Sequence, residues 1–134
     1  VRNYEKHQNT SILNSLFSKY IYKITKRKNM SENIEYIVKK DFEGKLVVLE
    51  EITVDAIKNL SSNCVVYLKH PTPDIVLLFG KINGIIVHVG GKLSHFAVIC
   101  KEYGIPVVKY SNAEEKLTDE KYVIIENGEI DVRD

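Results

Sequence analysis

The sequence predicts an α/β layered domain behind a helical N-terminal segment, and three observations predict it. From about residue 43 onward, short aliphatic and β-branched runs alternate with short stretches of helical spacing, the alternation expected of strands and helices packed in layers. Near the end, Asn127-Gly128 separates two such runs, a strong hairpin signal that adds an antiparallel element. Residues 1–42 differ in being polar and basic with a helical rhythm.

In that first region Ile12, Leu13, Leu16, Phe17, Tyr20, Ile21 and Ile24 fall on one helical face. Thr10 or Ser11 suits its start, and Lys23, Lys26, Arg27 and Lys28 crowd its end, where cations complement the helix dipole. Such a stripe needs a surface to cover it, because an isolated helix of this length is marginal in water. A second, shorter helix is expected from a Ser31 cap through Ile34, Ile37 and Val38.

The second region opens with Gly44 and the strand run Lys45 to Leu49. Thr53 can cap a helix through Ala56, Ile57 and Leu60, and Cys64 to Leu68 reads as a buried strand. Thr72-Pro73-Asp74 is a helix start with proline at its first position. Gly84 to Val87 forms the next strand, Ser94 to Tyr103 a helix stopped by Gly104, and Ile105 to Val108 a short strand. A weak helix over Asn112 to Leu117 leads into the final hairpin, Lys121 to Ile125 and Glu129 to Val132.

The chain has 134 residues, the size of one ordinary domain. Its 19 basic and 18 acidic residues leave a net charge of +1, which supplies no global attraction to nucleic acid or to an anionic membrane. No apolar run approaches the roughly 20 residues that span a bilayer, and no signal peptide is legible at the start. Cys64 and Cys100 sit among apolar neighbours and read as buried thiols of a cytoplasmic protein. The four histidines have no carboxylate or thiol at ligand spacing, so no metal site is expected. Because the sequence begins at Val1, a piece of a longer protein or a processed chain is expected.

Chemistry concentrates in Gly90-Gly91-Lys92-Leu93-Ser94-His95, between a strand and a helix. A glycine pair lets the backbone approach a ligand closely. A helix start presents open N–H groups and a positive dipole end, which favour phosphate. Ser94 is a good N-cap, and His95 then stands at the first helical position. An imidazole is a capable nucleophile near neutral pH. The loop thus combines a nucleophile, His95, with a phosphate cradle from Gly90, Gly91 and Ser94, and Lys92 is a candidate phosphate contact. His88, just before the glycines, reads as a strand-end residue with an ordinary hydrogen bond; His70 and His7 read as solvated.

The longer string from Gly90 to Val108, GGKLSHFAVICKEYGIPVV, resembles the signature of the mobile, phosphohistidine swivelling domain of phosphoenolpyruvate-utilising enzymes, approximately G-G-x-T-S-H-x-A-I-x-A-R-E-x-G-I-P-A-V. The likeness extends over about residues 43–132 and leaves the first 42 unmatched. It implies a β/β/α domain at 43–134, and residues 1–42, with their helical rhythm, are expected to form a helical extension or linker preceding it. The likeness also implies that His95 is transiently phosphorylated and carries the group between two sites. The donor implied is ATP or phosphoenolpyruvate, held with Mg²⁺ on a partner domain of the same parent chain or a separate one. This domain itself is expected to bind no cofactor, and a homodimer stays open. Leu93 stands where many members have Thr, and Cys100-Lys101 where Ala-Arg is common; Lys101 keeps the charge without the planar donor fork. The other reading is a non-catalytic interaction module that retains the fold. A carrier of this kind must move, and Lys39 to Gly44 is the expected incoming hinge, with Gly44 absorbing a backbone rotation and the other joint beyond residues 131–134.

Overall fold

The computed structural model describes residues 31–134, of which Glu32–Asp134 form one compact unit. The helix expected over Ile12 to Ile24, and His7, lie outside the described residues. The elements are β1 (Glu32–Asn33), β2 (Glu35–Val38), β3 (Phe42–Leu49), α1 (Val54–Asn59), β4 (Cys64–Leu68), a 3₁₀ segment (Pro73–Leu78), β5 (Ile82–Val87), α2 (His95–Glu102), β6 (Val107–Lys109), α3 (Ala113–Lys116), β7 (Tyr122–Glu126) and β8 (Glu129–Arg133). The strands are ordered β1-β8-β7-β3-β4-β5-β6-β2.

The long strand β3 serves two neighbourhoods. Its first half, Phe42 to Lys45, pairs antiparallel with β7, and its second half, Leu46 to Leu49, pairs parallel with β4. β4, β5 and β6 continue in parallel. Alternation along β4 separates two cores: Cys64, Val66 and Leu68 join one cluster, Val65 and Tyr67 the other. The first cluster lies under α2 and the 3₁₀ segment, with Phe96, Cys100, Ile75 and Leu78. The second gathers Phe42 and Leu46 of β3, Val123 and Ile125 of β7, and Ala113 and Leu117 about α3. The fold is thus mixed α/β, with a helix layer on the parallel strands and an antiparallel layer on their other face.

Two expectations are corrected. Where a short helix from Ser31 was predicted, the chain forms β1 and β2, and β2 pairs antiparallel with β6. The spacing of Ile34, Ile37 and Val38 has another cause: a register shift between Tyr36 and Val38 lets the consecutive Ile37 and Val38 meet the same core cluster. The hinge at Gly44 is also overturned. Gly44 is buried within β3, opposite Val123, and an added Cβ would lie 2.7 Å from the Asn63 carbonyl oxygen. Its lack of a side chain admits a neighbouring backbone, and it is no swivel point.

Other local signals match the sequence. Thr53 and Ser94 cap α1 and α2 through their hydroxyls, each 3.1 Å from the amide it accepts from, Ala56 in the first case and Ala97 in the second. Asn127 and Gly128 turn the last hairpin with positive φ values of 54° and 77°. Among the described residues, no helix is long and apolar enough to cross a membrane.

Both cysteines are free and buried. Burial pushes the Cys100 thiol from its ordinary 9.0 up to about 12, and burial, aided by the Glu114 carboxylate, pushes Tyr67 from 10.0 up to about 12. On unfolding both groups release their protons more readily, so the stability they contribute is complete below their unfolded pKa values and lost as pH rises through the folded ones. The urea midpoint is therefore expected to fall steadily between pH 9.0 and about 12, and less steeply in Cys100→Ala. Equal slopes in the two proteins would refute the assignment to Cys100.

Candidate functional site

The site lies beyond the carboxyl end of β5, on the edge where open α/β sheets present their ligand loops. Val87 closes the strand, and its carbonyl accepts from the Tyr110 amide at 2.8 Å. Gly90 has a φ of +130°, which disfavours any side chain there. The Ser94 amide then donates to the Gly91 carbonyl at 3.2 Å, closing a tight turn through Lys92 and Leu93.

Ser94 ends that turn and begins α2. Its hydroxyl accepts from the Ala97 amide at 3.1 Å, and its carbonyl from the Val98 amide at 3.0 Å. The side-chain cap stabilises the helix by about 1 kcal/mol. The amides of His95 and Phe96 are those the helix geometry itself leaves open. Phe96, Ala97 and Cys100 face the core, so His95 and Val98 face solvent. At the other end, Gly104 (φ +69°) carries the chain out of the helix. Gly104 and Ile105 return their amides to the carbonyls of Lys101 and Cys100 at 3.1 and 2.9 Å, a Schellman stop.

Gly90, Gly91, Ser94 and His95 share one recess of about 340 Å³, walled by Ile37, Pro71, Pro73, Val89 and Phe96. The structure therefore brings four of the five sequence-derived residues together. Lys92 instead lines a different recess, with Tyr36, Lys39, Asp41 and the Asn127-Gly128 turn. The apolar wall is not legible in the sequence: Ile37 falls in the expected short helix, Pro73 marks a helix start, and Pro71 carries no signal of its own. Apolar side chains close to the histidine in sequence are exposed, Leu93 at 95%, Val89 at 50% and Val98 at 43%.

The other described histidines are placed differently. His70 is exposed beside Pro71. His88 Nδ1 lies 3.3 Å from the Tyr67 hydroxyl, which donates to Glu114 at 3.0 Å. Lys69 reaches the other Glu114 oxygen at 3.1 Å and Glu50 at 3.4 Å. Lys69 and Tyr67 hold the Glu114 carboxyl below its ordinary range. This network is not legible in the sequence, because its members are scattered along the chain and meet only when the ends of β3, β4 and β5 and the helix α3 are brought together. Among the described residues, no three His, Cys, Asp or Glu side chains are grouped to hold a metal ion.

Known proteins share this architecture and segment. The solution NMR structure of a UPF0107 protein superposes with a TM-score of 0.57 at 12% identity, covering 78% of this chain and 100% of that one. Aconitase X of Thermococcus kodakaraensis, in its holo-form, gives 0.58 at 15% identity, covering 78% and 98%. At these identities the likeness is one of fold. A rifampicin phosphotransferase from Bacillus cereus is 33% identical over 72 residues, 53% of this chain but only 8% of that protein's length. The profile of the PEP-utilising enzyme mobile domain matches residues 60–129, which include the whole glycine–serine–histidine loop and α2. That match spans just over half of the 134 residues, and the chain belongs to the mobile-domain family of PEP-utilising enzymes.

Proposed function

We propose that His95 is a phosphoryl carrier. The observation that carries this reading is the placement of an exposed imidazole on the first turn of a capped helix, directly after a glycine turn. A ring nitrogen of His95 attacks phosphorus in ATP or phosphoenolpyruvate, held with Mg²⁺ on a partner domain of the same parent chain or a separate one. The N–P bond forms as the P–O bond to the leaving group breaks, and the other ring nitrogen keeps its hydrogen. The leaving group departs with the bonding pair, as a nucleotide phosphate or as pyruvate enolate that then takes up a proton. Transfer onward reverses these roles: a nucleophilic atom of the acceptor attacks the same phosphorus, the N–P bond breaks, and the imidazole leaves with the bonding pair. The charge of the phosphorylated imidazole lies at the positive end of α2. Leu93, Val89 and Val98 supply an apolar rim that seats against a partner and excludes water from the reacting groups.

Incubation with the partner or parent enzyme and radiolabelled ATP or phosphoenolpyruvate tests the chemistry. The expected product is a protein-bound phosphoryl group that survives base and is lost in acid. An acid-stable label, or no label with either donor, contradicts the reading.

A further inference from the structure

Tyr67 is fully buried, yet its hydroxyl meets two partners, His88 Nδ1 at 3.3 Å and Glu114 Oε2 at 3.0 Å. Counting protons fixes the direction of both bonds. Glu114 pairs with Lys69 at 3.1 Å and is an ionised, acceptor-only group. The single Tyr67 hydrogen therefore goes to Glu114, and the Tyr67 oxygen accepts from His88. Nδ1 of His88 must therefore carry a hydrogen, which in the uncharged ring is the Nδ1–H form and not the Nε2–H form.

The position of this bond gives it a consequence. His88 is the first residue after β5, and Val89, Gly90 and Gly91 follow it into the recess that holds His95. Val87 is fixed from the β6 side by the Tyr110 amide. His88 is fixed from the β4 side by Tyr67. Beyond them two glycines leave the backbone unusually free, so the direction in which the chain leaves β5 determines where the loop starts.

We infer that His88 is a positioning residue for His95, acting through its Nδ1–H bond to Tyr67 and not by touching the phosphoryl group. The inference rests on His95 being the phosphoryl acceptor. Its structural half is read without any donor: nitrogen-15 NMR of the wild-type chain near pH 8 should show His88 as the Nδ1–H form, and Tyr67→Phe should abolish that preference. Its functional half compares variants in the labelling reaction with ATP or phosphoenolpyruvate. His88→Ala and Tyr67→Phe should lower kcat about tenfold with KM for the donor unchanged. His88→Asn, whose amide N–H takes the place of Nδ1–H, should restore most of the rate, and His88→Gln should not. An Nε2–H form in the wild type, wild-type rates in His88→Ala and Tyr67→Phe, or equal rescue by Asn and Gln would overturn the inference while leaving His95 as acceptor. No labelling of the wild type would remove the acceptor reading and this one with it.

Discussion

Gly84→Val is expected to destabilise the domain by about 3 kcal/mol or more, the upper range for forcing atoms into a packed core. A Cβ on Gly84 would lie 2.4 Å from Phe42 Cδ2 and 2.5 Å from Cε2, far inside any van der Waals contact. Phe42 is buried in the second core cluster, so its ring cannot move without displacing packed neighbours. Gly80 is the control: an added Cβ there meets nothing within 4 Å, and Gly80→Ala should be near neutral. Urea denaturation of both, together with Phe42→Leu alone and combined with Gly84→Val, checks the cause. The smaller side chain should make the glycine substitution less costly. Additive losses would show that Phe42 is not the obstacle.

The second large effect concerns chemistry. His95→Ala should reduce acid-labile phosphoryl incorporation to background, because the atom that forms the covalent bond is gone. The side chain is exposed, so its removal should change stability by no more than about 0.5 kcal/mol. Measuring incorporation and thermal unfolding on the same preparation separates lost chemistry from lost fold. Undiminished incorporation, or a large drop in unfolding temperature, contradicts the role given to His95.

Much of this fold is legible because local and tertiary preferences agree. Thr53, Ser94, Gly104 and Asn127-Gly128 all perform the capping or turning that their types favour. The buried strand Cys64–Leu68 is continuous in sequence because both of its faces are covered. The misreadings come from long-range contacts. A bulge in β2 imitates helical spacing at Ile34, Ile37 and Val38, and only the pairing with β6, far along the chain, reveals a strand. Gly44 looks like a joint in sequence and is a close-approach point in space. Similarly, the loop from Gly90 to His95 is contiguous and readable, whereas the wall from Ile37, Pro71 and Pro73 and the network from Lys69, Tyr67, Glu114 and His88 depend on which elements become neighbours.

The most direct test is to locate the phosphoryl group. The protein is loaded from its donor at neutral or alkaline pH and fragmented under conditions that preserve N–P bonds, and the modified side chain is assigned by mass spectrometry. With four histidines in the chain, the position itself is informative. The expected result is a phosphoryl group on His95. A group found instead on His70, on His88 or on a hydroxyl side chain would contradict the account.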